Sequence, residues 1–187
     1  MLRLVEAVVG YRSPITPPVT LDVARGEVVG LAGPNGVGKS TLIRAVFGAA
    51  RLFSGRIERA SGARIGYLPQ APVRLAEAPL TGRELLSSVG AQDFAPPARL
   101  GEKLDRRIDR LSGGEYQLLM LWATLAGDHE LVLLDEPTNH LDAGHIATAV
   151  EEIAAARARR ATLVVSHERE FLEAVCTRIV TLGGAHG

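Results

Sequence analysis

The apolar residues fall into two rhythms along the chain. Strand-like stretches occur at Leu2–Val9, Thr20–Ala24, Arg64–Leu68 and Arg178–Leu182. Short unbroken apolar runs fill Val28–Ala32, Glu130–Leu134 and Ala161–Val165, the pattern of parallel strands buried on both faces. Helical spacing begins near Gly38 and continues through Leu42, Ile43, Val46 and Phe47. It returns over Glu115–Leu125, Ala143–Arg159 and Glu168–Val175. Pro14, Pro17 and Pro18 mark a loop, and Arg25-Gly26-Glu27 a turn. Strands that alternate with helices predict an α/β core around a mainly parallel sheet. The strands of the first third are expected to form an antiparallel side sheet. Residues 71–101 differ: prolines interrupt short apolar segments, which predicts a small helical insertion with loops. The expected organisation is one domain over residues 1–187, with a short helical subdomain at about 71–127.

Composition narrows the class. The chain has 187 residues, 47% of them hydrophobic, and a formal net charge of zero. That is a globular composition with ample material for one core. The balance of charge gives no argument for broad nucleic-acid binding, and no DNA partner is indicated. The single cysteine, Cys176, excludes an intrachain disulfide and reads as a small apolar residue of a helix. The start, Met-Leu-Arg-Leu-Val-Glu, lacks the layout of a signal peptide. No apolar run approaches the ~18 residues of a membrane span. A cytoplasmic chain is therefore expected, and any membrane role must come through a partner.

The sharpest chemical signal is Gly33-Pro34-Asn35-Gly36-Val37-Gly38-Lys39-Ser40-Thr41, placed between a buried strand and a helix. It matches G-x-x-x-x-G-K-[ST], a phosphate-binding loop. Glycines let backbone amides turn inward around phosphate oxygens, and the helix start adds its dipole. Lys39 is expected to reach the β- and γ-phosphates, and the Ser40 hydroxyl to ligate Mg²⁺. This predicts ATP with Mg²⁺ as the ligand.

A second signal is the run Leu131–Leu134 ending in Asp135 and Glu136. Ligands of open α/β sheets bind at that end of the strands. Asp135 is placed to hold Mg²⁺, and Glu136 to orient and deprotonate a water. A third is Leu111-Ser112-Gly113-Gly114-Glu115, which opens a helix. Ser112 can cap it, and the paired glycines expose amides, giving a second anion-binding helix start. His129, His140, His145 and His186 show no metal-ligand spacing, so no zinc site is read.

Leu-Ser-Gly-Gly-Glu after a phosphate loop and before an Asp-Glu strand resembles the ATP-binding cassette family, and the resemblance extends over nearly the whole chain. It implies that Tyr11 stacks on adenine. It implies that Gln70, in Gly66–Gln70, takes part in catalysis and in holding Mg²⁺. His167 matches the switch histidine that contacts the γ-phosphate, and Asp142 falls in the loop that follows the Asp-Glu strand. In this family two cassettes meet head to tail, so Leu111–Glu115 would act on the ATP of a second cassette, either a copy of this chain or a paralogue. One departure is Leu118, in Leu118-Leu119-Met120-Leu121, where the family commonly has an arginine; burial of the helix is the simplest account.

The resemblance leaves two roles. The favoured one is the ATPase subunit of a membrane transporter, working with separate permease chains at the cytoplasmic face of the membrane. The alternative is a soluble factor that acts on the ribosome, as in the F subfamily. That subfamily shares details of Glu136–Asp142 and Ser166–Leu172, yet it carries two cassettes and a linker in one chain. The 40-residue stretch between Gln70 and Leu111 is where transporter cassettes meet a permease. Its apolar residues Leu80, Leu85, Leu86, Val89 and Phe94 are expected to form mainly a small core of their own. A nucleotide switch without turnover is a third reading, disfavoured because every catalytic position is filled.

Overall fold

The three unbroken apolar runs lie side by side. A computed structural model describes residues 1–73, 79–91 and 94–183. In it β3 (Val28–Ala32) pairs in parallel with β7 (Ala161–Val165), which pairs with β6 (Leu131–Asp135). β5 (Ile65–Leu68) and β8 (Arg178–Thr181) close the two edges, giving the order β5-β6-β7-β3-β8. β6 and β7 are buried along their whole length, which is why they show no polar alternation.

Each central strand feeds two cores, one on each face. Leu131 and Leu133 join a cluster with α1 (Lys39–Val46) and the N-terminal strands. Val132 and Leu134 join another, with α4 (Gly113–Ala126), α5 (Ala143–Ala156) and α6 (Arg169–Val175). Burial of this size is the main stabilising term, at roughly 25 cal/mol per Å² of apolar surface. It clamps the strand ends from both sides.

The antiparallel side sheet is present, with order β2-β1-β4. β1 (Leu2–Gly10) is its centre, and β2 (Val19–Val23) is one flank. The other flank, β4 (Arg51–Arg59), was not expected. Every residue of it except Phe53 and Ile57 is exposed, so it has no periodic signal of its own. Antiparallel pairing with β1 makes it a strand. Several boundaries also move, most by a residue or two. β2 starts at Val19 rather than Thr20, and α5 ends at Ala156, with residues 157–159 tightening into a 3₁₀ turn.

Between β5 and β6 the chain is helical where described: α2 (Gly82–Ser88), α3 (Ala98–Gly101), a 3₁₀ turn at Ile108–Arg110, and α4. Residues 74–78 and 92–93 lie outside the described residues, as does His186. The insertion does not form a core of its own. Leu86, Leu100, Leu104 and Ile108 belong to the same cluster as Val132 and Leu134 of the sheet. Leu118, Leu119 and Leu121 of α4 are 0% exposed, so the apolar character of that helix is burial. Among the described residues no helix is long and apolar enough to cross a membrane.

Candidate functional site

Three neighbouring strands end at one edge of the sheet. β3 runs into Gly33, β6 into Asp135 and Glu136, and β7 into Ser166 and His167. The loop after β3 depends on its glycines. Gly33, Gly36 and Gly38 have φ of 143°, 81° and 98°. A Cβ on Gly38 would lie 2.5 Å from the Thr16 methyl, and one on Gly33 would lie 2.7 Å from the Leu182 carbonyl oxygen. Only glycine meets both conditions, backbone and space. Gly38 stands at the N-cap of α1 and no side chain caps that helix. Its first amides therefore point, uncapped, into the loop. Lys39 is buried, and its Nζ donates to the carbonyls of Gly33 at 2.8 Å and Pro34 at 3.1 Å.

The loop faces a cavity of about 480 Å³. It is lined by Ile15, Asn35, Gly36, Gly38, Lys39, Ser40, Thr41, Gln70, Glu136 and His167. Gly33, Pro34 and Val37 complete the loop outside that lining. Asp135, 0% exposed, lies beneath it, and the Ser40 hydroxyl donates to its Oδ1 at 2.8 Å. Burial pushes the Asp135 carboxyl above its usual range, while the Ser40 bond and the nearby Arg44 charge oppose that shift.

Glu136 follows β6 in the left-handed region, with φ 51°. Its amide donates to the Val165 carbonyl at 2.8 Å, which fixes it between β6 and β7. Its Oε2 lies 2.8 Å from His167 Nδ1 and accepts from the His167 amide at 3.2 Å. The Glu136 side chain is 9% exposed, whereas that of His167 is 54% exposed. A nearly buried carboxylate and an exposed imidazole thus share one hydrogen bond at the cavity wall. That arrangement can move a proton at the wall of the same cavity in which Lys39 and the loop amides can hold an anion.

Other expected residues sit elsewhere. Tyr11 does not line the cavity. It is 45% exposed, and its hydroxyl accepts from Arg44 Nη1 at 2.8 Å. Ser112–Glu115 and Leu111 also lie outside the lining. Ser112 and Glu115 form a capping box: Ser112 Oγ accepts from the Glu115 amide at 3.2 Å, and Glu115 Oε2 accepts from the Ser112 amide at 2.8 Å. Lys103 donates to Glu115 Oε1, and this bond with the Ser112 amide holds the carboxyl down to about 2. Gly113 and Gly114 begin α4 beside His140 and His145. Asp142 caps α5, accepting from the His145 amide at 2.8 Å.

Sequence reasoning missed three neighbours of the site: Ile15, Arg44 and Tyr67. Ile15 lies in a proline-rich loop with no motif of its own. Tyr67 lies within Gly66–Gln70 but drew no role. Arg44 was findable, because it stands four residues after Ser40 and so on the same face of α1.

A glycine-rich loop that opens a helix, with paired acids ending a nearby strand of a parallel sheet, defines a P-loop nucleoside triphosphatase. The chain belongs to the ABC transporter family, whose model matches residues 17–139. It is 42% identical over 179 residues to the zinc import ATP-binding protein ZnuC of Paracoccus denitrificans, a match that covers 91% of this chain and 70% of that protein. It is 38% identical over 180 residues to the ZnuC protein of Cereibacter sphaeroides, covering 91% of this chain and 74% of that one. A solved structure of the ATP-binding subunit of an ABC transporter superposes with a TM-score of 0.82 at 28% identity, over 97% of this chain and 85% of that one. Membership makes the chain an ATP-binding, ATP-hydrolysing subunit of the transport-coupled kind.

Proposed function

We propose that the 480 Å³ cavity holds Mg-ATP and that Glu136 is the base that hydrolyses it. The observation that carries this reading is the Glu136–His167 pair, which lines the same cavity as Lys39. The donors available for a cation are the Ser40 hydroxyl, the Asp135 carboxylate and the Gln70 amide. All can offer oxygen, the set that suits Mg²⁺. Bound there, Mg²⁺ would neutralise charge on the phosphates. Lys39 exchanges its two carbonyl partners for phosphate oxygens, and the amides of Gly33–Thr41 surround the same group. Tyr11 supplies the ring against adenine, with Ile15 beside the cavity mouth. Glu136 accepts a proton from water, and His167 keeps the carboxylate aimed while meeting the γ-phosphate.

Leu111, Ser112, Gly113, Gly114 and Glu115 have no part in the cavity of their own chain. Leu111 is buried in the core; we read Ser112, Gly113, Gly114 and Glu115, with Asp142, as the face offered to the ATP of a second cassette. The site is then complete only in a head-to-tail dimer, and hydrolysis reopens it.

The test is Glu136→Gln. It should leave ATP affinity intact, lower turnover by about 10²–10⁴-fold, and trap an ATP-bound dimer. Turnover within a factor of two of wild type, or a monomer by light scattering with ATP, overturns the assignment.

The relatives support a finer reading. They are zinc import proteins, and we propose that this cassette energises a zinc importer through a separate permease at the cytoplasmic face. Zinc would be the permease's cargo, not a ligand of this chain. Deleting the gene should abolish growth under zinc limitation and leave growth in excess zinc unchanged. Equal growth in both media overturns the cargo.

A further inference from the structure

Arg44 stands one turn behind Ser40 on α1, facing the same way. Its Nη1 donates to the Tyr11 hydroxyl at 2.8 Å, and its guanidinium also hydrogen-bonds Tyr67. The Tyr67 hydroxyl donates to Asp135 Oδ2 at 3.5 Å. That is the carboxylate oxygen not taken by Ser40, which bonds Oδ1. A phenol can accept from a guanidinium and donate to a carboxylate at once. The Tyr67 ring is fixed against Phe47, with centroids 4.7 Å apart. The planar fork of arginine suits this double hold, whereas a lysine offers only a point charge.

We propose that Arg44 is a positioning residue that fixes Tyr11 at the base end of the site and, through Tyr67, the second oxygen of Asp135 at the metal end. This rests on the reading of Tyr11 as the base-stacking aromatic and of Asp135 as a Mg²⁺ ligand. One side chain then sets both ends of the nucleotide site. Base contact and metal binding become coupled, each strengthening the other by the same factor.

The test separates the two ends. Affinity for ATP is measured in EDTA, where only the nucleotide is bound. Mn²⁺ affinity of the ATP-loaded protein is measured by electron paramagnetic resonance. Tyr11→Phe, which keeps the ring and removes the hydroxyl, should weaken metal-free ATP binding roughly 3- to 10-fold, the worth of one ordinary hydrogen bond at an exposed site. Arg44→Met should do the same, and the double variant should be no weaker than either single one. Tyr67→Phe should leave metal-free ATP affinity unchanged and weaken Mn²⁺ several-fold. Arg44→Met should show both losses.

Additive effects of Tyr11→Phe and Arg44→Met, or unchanged Mn²⁺ affinity in Arg44→Met, overturn the proposal. Tyr11→Ala probes the underlying reading. If it leaves metal-free ATP affinity unchanged, base stacking by Tyr11 is wrong, and the Mn²⁺ arm alone then decides whether Arg44 holds Asp135. Should Arg44→Met melt well below wild type, Arg44→Lys replaces it. It keeps the charge but cannot span both phenols, so one of the two losses must appear.

Discussion

The two glycine-bearing helix starts look alike in sequence and differ in chemistry. Before α1, Gly38 is left-handed, no side chain caps the helix, and its first turn holds no acid. Before α4, Ser112 and Glu115 cap each other, and Lys103 neutralises the acid. The first start is therefore an anion site within one chain. The second already has a carboxylate of its own against its amides, so it can add contacts to a phosphate only from its outer side. Paired glycines alone do not make a phosphate cradle; what occupies the amides decides.

Glycine-to-alanine exchange probes this contrast most severely at α1. Gly38→Ala meets both a φ of 98° and the Thr16 methyl. It should cost roughly 1–3 kcal/mol in urea denaturation and abolish ATP binding by calorimetry. Wild-type affinity in that variant would show that the loop does not need its left-handed turn.

At α4 the capping groups come next. Glu115→Gln should cost on the order of 1–2 kcal/mol at neutral pH. The folded carboxyl titrates at about 2, below its ordinary 4.5, so its stabilisation is complete above pH 4.5 and fades as pH falls toward 2. Wild type and variant should therefore converge in urea melts at acid pH. A gap that stays constant with pH would mean that Lys103 and the Ser112 amide do not hold the charge. Ser112→Ala should cost about 1 kcal/mol through the lost cap.

Gly113→Ala is the smallest change. A Cβ there meets only the His140 Cβ, at 4.0 Å. Stability should stay level or rise by up to about 1 kcal/mol, because alanine favours helix. If ATP turnover falls while stability holds, Gly113 serves a second cassette. A clear loss of stability would refute the idea that its role lies outside its own fold.

Most of the fold was legible because the parallel strands are buried on both faces and so lack polar interruption. Lys39, Ser40, Asp135 and Glu136 were legible because a covalent spacing or a strand end fixes them. β4 was not, since it is mostly exposed and is made a strand by pairing with β1, not by a pattern of its own. Ile15 was hidden because only the folding of its loop over α1 brings it to the cavity. The expected separate core of the insertion failed for a related reason. Apolar spacing says that Leu86 and Leu104 are buried, but not against what. The details shared with ribosome-acting proteins lie in the Glu136–Asp142 and Ser166–Leu172 segments, short stretches beside a match to zinc import ATP-binding proteins that covers 91% of this chain.

The left-handed backbone of Glu136 has an evolutionary corollary. A non-glycine residue held there carries roughly 1–3 kcal/mol of strain. Glycine at 136 should relieve part of it, raising the melting temperature while erasing hydrolysis. Selection for heat tolerance alone would then drift toward an inert protein, and selection for turnover must hold the strained residue in place. A thermal-stability screen of all substitutions at this position, read beside an ATPase screen, should rank glycine near the top of the first and the bottom of the second. A glycine variant that melts below wild type would remove the conflict.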